Sequence, residues 1–279
     1  MNRTTTPRAT RAHGWIVGTR RPAAPFARLF CLPYAGGGAS TYAAWPALFP
    51  DNVEVCPVEL PGRLTRWSEK AFEQAEPLVD ELATALSGEL DVPYALFGHS
   101  MGALLAFELA RALRRRGAAE PRVLFVSGGP APQLRRRHRQ IHDQPDDVVV
   151  ARLRELGAVP KDVYDEPELL ELLMPTIRAD FSVVETYVHR HEPPLGCPVV
   201  AFAGTEDREV PADQVDPWHE QTTGGFTRHL LPGDHFFLHS ARTALLDSVH
   251  AALTAAARRP TGAAGRPTDL SDQPERKGQ

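Results

Sequence analysis

Between the apolar run Tyr94-Ala95-Leu96-Phe97 and the stretch Ala103-Leu104-Leu105-Ala106-Phe107, the chain reads Gly98-His99-Ser100-Met101-Gly102. A buried strand has to turn into a helix there almost at once, and only small residues fit on either side of so sharp a bend. The bend lifts the serine hydroxyl clear of the backbone, and the helix N-terminus beneath it favours negative charge. This Gly-x-Ser-x-Gly elbow therefore commits the chain to a strand–turn–helix unit of an α/β sheet and makes Ser100 a candidate nucleophile for acyl transfer.

The rest of the chain supplies the sheet. Short apolar runs at residues 28–32, 53–58, 94–97, 123–126, 198–203 and 226–231 read as strands. Helical spacing at 77–90, 101–116 and 240–257 reads as the helices between and after them, with Gly117 closing the second. Continuous apolar strands alternating with helices predict an α/β fold, with a mostly parallel sheet covered by helices on both faces. A further edge strand is expected near Trp15-Ile16-Val17. About seventy residues between the strands at 123–126 and 198–203 contain no strand pattern, only helical stretches at 147–156 and 167–188. That is too long for a connection, so a helical lid over the C-terminal edge of the sheet is expected, where open α/β folds place their sites.

A serine hydroxyl is a poor nucleophile unless a histidine takes its proton and a carboxylate orients that histidine. Both partners follow the elbow in the order an acyl-transfer fold requires, each in a loop after a strand. Asp207 lies in Gly204-Thr205-Glu206-Asp207-Arg208, where Glu206 and the nearby Asp213 compete with it. His235 lies in Gly233-Asp234-His235-Phe236, whereas His239 falls at the start of the last helix. Asp234 reads as a loop-shaping residue, and His99 as support for the elbow. The oxyanion needs two backbone donors. Met101 N–H is one, and the loop Tyr34-Ala35-Gly36-Gly37-Gly38 after the first strand offers Ala35 N–H as the other.

Bulk properties narrow the class. The 279 residues suffice for one large domain with a full core, and the formal net charge of −4 gives no reason to expect nucleic-acid binding. Three cysteines, Cys31, Cys56 and Cys197, all in apolar surroundings, read as buried thiols suited to a reducing cytoplasm. No apolar run approaches the ~20 residues of a membrane span, and residues 1–11 lack the apolar core of a signal peptide. Residues 1–25 read as a flexible extension, 26–257 as the catalytic domain with its lid at about 133–194, and 258–279 as a disordered tail. No metal or nucleotide motif is visible; the three glycines at 36–38 lack phosphate-loop spacing.

Several runs beyond the elbow carry a family resemblance: Leu29-Phe30-Cys31-Leu32-Pro33-Tyr34-Ala35-Gly36-Gly37-Gly38, Glu59-Leu60-Pro61-Gly62-Arg63, Ile141-His142-Asp143, Arg178-Ala179-Asp180-Phe181, Glu185-Thr186-Tyr187 and Gly233-Asp234-His235-Phe236-Phe237. Over residues 30–249 the chain resembles the type II thioesterases of polyketide and nonribosomal peptide assembly lines, within the α/β-hydrolase superfamily. The resemblance implies an α/β-hydrolase fold and cytoplasmic hydrolysis of stalled or aberrant acyl chains from the phosphopantetheine arm of acyl or peptidyl carrier proteins. It implies Ser100 as nucleophile, Asp207 as acid, His235 as base and Ala35 and Met101 as oxyanion amides. It implies no cofactor beyond the phosphopantetheine on the substrate, and a monomer is expected.

Carrier proteins are acidic, so a basic docking surface is expected, with Arg135-Arg136-Arg137-His138-Arg139 the best local candidate and Arg114-Arg115-Arg116 less well placed. The residues also allow an acyltransferase or cyclase, or a general esterase, working through the same triad. Acceptor choice depends on access to the acyl-enzyme, which motifs do not encode.

Overall fold

The computed structural model describes residues 14–19, 22, 24–134, 140–157, 159 and 161–258. The basic run 135–139 and the tail 259–279 lie outside them, as do residues 1–13. Among the described residues six strands form one sheet: β1 (Ala27–Leu32), β2 (Val53–Pro57), β3 (Tyr94–His99), β4 (Leu124–Ser127), β5 (Val199–Gly204) and β6 (Phe226–Leu231). Their order is β2-β1-β3-β4-β5-β6, and every neighbouring pair is parallel. β1 to β5 are buried along their whole length, as expected of strands covered on both faces. β6 is an edge strand with half its residues exposed.

The helices are α1 (Trp45–Leu48), α2 (Ala75–Leu86), α3 (Met101–Arg115), α4 (Asp146–Leu156), α5 (Pro167–Glu185), α6 (Ala212–Val215), α7 (Phe237–Ser240) and α8 (Arg242–Ala257). One core, centred on α2 and α3, covers one face of the sheet. A second, with Trp45, Phe97, Phe125, Phe202, Phe237 and Leu245, covers the other.

Some boundaries differ from the sequence reading. α2 starts two residues early, because Pro77 occupies the first turn, where no N–H is needed. It gives way to a 3-10 turn at Ser87–Glu89. The closing helix starts two residues late, as α8, with a separate turn of helix, α7, ahead of it in the expected loop, and α5 stops at Glu185, three residues short of the expectation. At residues 14–19, Ile16 makes an antiparallel bridge with Val58, and Trp15 and Ile16 are buried, the indole beneath the Arg66 guanidinium at 3.8 Å. Of the segment expected to be a flexible extension, the described residues Trp15 and Ile16 thus contribute to the core.

The chain leaves β1 for β2 on one side and later returns to β3 on the other. The loops after β1 and β3 therefore diverge at a topological switch point, where a crevice opens at the strands' carboxyl ends. α4 and α5 stand over this edge with their own small core of Ile141, Val149, Leu153, Val159, Met174 and Ile177. The described residues of the segment expected to form a lid thus have a small core of their own. All three cysteines are buried, and none forms a disulfide. No helix among the described residues is long and apolar enough to cross a membrane.

Candidate active site

Ser100 joins β3 to α3 with φ +54 and ψ −114, a conformation non-glycine residues rarely adopt. Its neighbours explain the two glycines separately. A Cβ on Gly98 would lie 1.9 Å from the carbonyl oxygen of Gly102, inside the first turn of α3. One on Gly102 would lie 2.2 Å from the carbonyl oxygen of Leu32, at the end of β1. The first glycine lets the helix fold back on its own strand, and the second lets it sit against the next strand.

The loops after β5 and β6 are joined by backbone. Thr205 N–H donates to Leu231 O and Glu206 N–H to Gly233 O, at 2.8 and 2.9 Å. Gly204 permits this approach, since a Cβ there would meet Gly233 O at 2.6 Å. Asp207 is consequently buried beside His235. Its Oδ1 accepts the amides of Glu209 and Val210 at 2.9 and 3.0 Å, which aims Oδ2 at His235 Nδ1, 2.9 Å away. A carboxylate only accepts, so Nδ1 carries the proton and Nε2 is left to accept from the Ser100 hydroxyl at 3.1 Å. The structure thus brings together the three side chains singled out in the sequence. Glu206, Asp213 and His239 are exposed, and Asp234 holds the loop by accepting the Phe236 amide at 2.9 Å.

His99 lies beneath this relay, its ring 5.2 Å from that of His235. It is fully buried, and Nδ1 pairs with Ser127 Oγ at 2.9 Å. Burial pushes its pKa well below the usual histidine range, so it stays neutral under His235 and packs against Tyr34, Phe236 and Phe237. Supporting the elbow is the role these contacts describe.

Ala35 and Met101 line the same cavity as Ser100 and His235. The Ala35 loop is clamped from outside. Gly36 N–H donates to Asp180 Oδ2 at 2.8 Å, and Arg63 donates to Gly37 O at 2.7 Å while gripping both Asp180 oxygens at 2.7 and 3.0 Å. Arg63 and Asp180 are both buried. This clamp ties the Pro-Gly-Arg loop and α5 to the glycine loop. Sequence reasoning singled out both runs but assigned neither a role, because their meeting spans 117 residues of chain. Next to it, Glu59 is fully buried and accepts the Ala39 amide at 3.2 Å; burial pushes its carboxyl up to about 7 against the pull of Arg63 and Arg66.

The cavity above Ser100 encloses about 510 Å³. Leu104, Ile141, Leu156, Phe181 and Val184 give it apolar walls, and an Arg152–Glu209 ion pair joins α4 to the loop of Asp207 at its edge. Glu185 at the end of α5 accepts the amides of Ile141 and His142 and the His142 ring, the last at 2.7 Å, closing the lid's entry. No cluster of potential metal ligands exists among the described residues. Arg114, Arg115 and Arg116 sit at the far end of α3 and are paired with Glu192 and Asp80.

The thioesterase domain family matches residues 27–253. The gramicidin S biosynthesis protein GrsT of Aneurinibacillus migulanus is 39% identical over 84% of this chain and 91% of its own length. RedJ, a thioesterase from the prodiginine biosynthetic pathway of Streptomyces coelicolor, superposes with a TM-score of 0.79 at 39% identity, covering 90% of this chain and 96% of RedJ. The type II thioesterase BorB from the borrelidin biosynthetic cluster superposes at 0.78 with 36% identity, covering 88% and 98%.

Proposed function

The chain belongs to the thioesterase domain family and is a hydrolase, and from that premise we propose that it removes acyl groups held as thioesters on the phosphopantetheine arm of acyl or peptidyl carrier proteins, clearing stalled or aberrant chains from a polyketide or nonribosomal peptide assembly line. GrsT, RedJ and BorB are each described as part of an antibiotic or natural-product pathway, which supports that setting. The observation that carries the mechanism is the Ser100–His235–Asp207 relay, with spacings of 3.1 and 2.9 Å, beneath an apolar-walled cavity.

In this mechanism Ser100 Oγ attacks the thioester carbonyl while His235 Nε2 takes its proton. Asp207 holds the ring tautomer and stabilises the imidazolium. The amides of Ala35 and Met101 receive the oxyanion. The carbon–sulfur bond breaks, and the imidazolium returns its proton to the departing pantetheine sulfur. A water, deprotonated by His235, then attacks the acyl-Ser100 ester; the carbon–oxygen bond to Ser100 breaks, the imidazolium returns its proton to Ser100 Oγ, and a free acid leaves. A thiolate leaves readily, so these groups suffice with no cofactor of the enzyme's own.

The test is to incubate the protein with acyl-loaded carrier protein and with acyl-pantetheine, and to follow free acid, holo-carrier and acylated Ser100 by mass spectrometry. Free acid and a transient Ser100 adduct are expected. Ester or amide products would indicate acyl transfer or cyclisation instead, and a marked preference for oxygen esters would overturn the thioester assignment.

A further inference from the structure

The catalytic cavity has a neighbour along the same helix. Ser100 and Leu104 face the cavity above the nucleophile, whereas Glu108 and Arg111, further along the same stretch of α3, face a second cavity of about 470 Å³. Residues four apart share a helix face, and at the α-helical rise Glu108 stands about 12 Å from Ser100 along the axis. Two residues of the segment after α5, Tyr187 and Val188, line both cavities.

Tyr187 is held in place. Its hydroxyl donates to Glu108 Oε1 at 2.6 Å, and Arg111 donates to the same oxygen at 2.6 Å. Burial, with the Glu108 carboxylate beside it, raises the phenol's pKa, so it remains a donor. Arg111 in turn pairs with Glu192 at 2.9 Å. The nucleophile's cavity carries the apolar Leu104, Phe181 and Val184, with Arg152, Glu209 and Gln214 also on its lining. On the other side lies a network of charges paired with one another.

We infer that Tyr187, anchored by Glu108, is the end wall that sets the length of acyl chain the site takes. This rests on the thioesterase reading above. An acyl chain on Ser100 runs along α3 past Leu104, gains burial with each methylene, and stops at the Tyr187 ring. A longer chain would have to displace the ring and enter a cavity whose paired charges it would strip of their partners or solvent, which is unfavourable. Tyr187 is a specificity-determining residue in this account and takes no part in the chemistry.

The experiment compares kcat/KM across straight-chain acyl-pantetheines of graded length for the wild type, Tyr187→Ala and Tyr187→Leu. Each additional buried methylene is worth about fourfold. The long-to-short ratio of kcat/KM should therefore rise about tenfold or more in Tyr187→Ala, and by less in Tyr187→Leu. The leucine variant keeps an apolar side chain on the core and leaves Glu108 its Arg111 partner, so it decides the matter if the alanine variant does not fold. A ratio unchanged from wild type in the folded variants overturns the inference. Covalent labelling of Ser100 by alkyl phosphonofluoridates of graded length gives a second readout. If the wild type hydrolyses no thioester of any length, the functional reading fails. The wall is then judged by labelling alone: a variant profile shifted to longer chains supports it, and an unshifted one removes it.

Discussion

The strands that carry Ser100 and Asp207 are sealed in the sheet. Leu96, Phe97, Ala201 and Phe202 expose no surface, and the loops beyond them are spaced by backbone hydrogen bonds and by glycines that admit no Cβ. The lid has a small core of six buried apolar residues and sets Val183 on the main core, but much of its fastening is by charges: Arg63 to Asp180 and Arg152 to Glu209 tie it to the sheet's loops, and His142 to Glu185 and Arg178 to Asp146 brace it internally. Apolar burial is non-directional and is not screened by salt, whereas ion pairs are directional and are screened where exposed. The proposed chemistry and the enclosure of substrate are therefore largely separable, and they meet at the Ala35 loop, which the Arg63–Asp180 clamp holds.

The largest test of that separation is Ser100→Ala. Loss of the nucleophile should lower kcat about 10⁶-fold, while thermal melting and the lid's proteolytic resistance stay at wild-type levels. A large fall in melting temperature would mean that the rim is structural as well as chemical. Asp207→Asn comes next, with an expected loss of about 10⁴-fold in kcat from the wrong histidine tautomer, measured on a short acyl-pantetheine.

Arg63→Ala attacks the enclosure. It leaves Asp180 buried with the Gly36 amide as its remaining donor, and breaking a buried pair from one side costs about 3–5 kcal/mol. Chemical denaturation should show that loss, and as the Ala35 loop and α5 loosen, KM should rise and kcat should fall with the misplaced oxyanion amide. Arg63→Lys should restore part of it only, since an ammonium cannot grip both carboxylate oxygens in a planar fork.

Glu59 offers a pH-dependent version of the comparison. Its carboxyl titrates in the fold at about 7, above its ordinary value. Its contribution to stability is full below that ordinary value and is lost as pH rises through about 7. Glu59→Gln, which can still accept the Ala39 amide, should gain melting temperature over wild type as pH goes from about 5 to about 8. A constant gap would show that Glu59 stays ionised throughout. The smallest effect is expected at Arg152→Met. This partly exposed pair should contribute at most about 1 kcal/mol, read as a few-fold rise in KM at low salt that narrows at high salt, with kcat retained.

Much of the rim was legible in the sequence because its signals are local. A strand, a small-residue turn and a helix identify Ser100 within a dozen residues, and the loops of Asp207 and His235 each announce themselves by the strand before them. The lid was legible as a long helical interruption, but its fastenings were not. Glu108 and Tyr187 are 79 residues apart, and Arg63 and Asp180 are 117 apart. Nothing in their local patterns says that they meet. Element ends shifted for equally physical reasons, as where Pro77 settled into the first turn of α2 or where Trp15 and Ile16 found a place on the core.

By itself the sequence determined the fold class and placed the proposed nucleophile and its proposed partners in order, since apolar periodicity and turn chemistry are written in neighbouring residues. Only the tertiary structure decided the shape of the space above Ser100 and what bounds it. The clamp on the Ala35 loop and the tyrosine at the end of the cavity are pairings across the chain, created when the sheet's switch point and the lid bring distant side chains within hydrogen-bond reach.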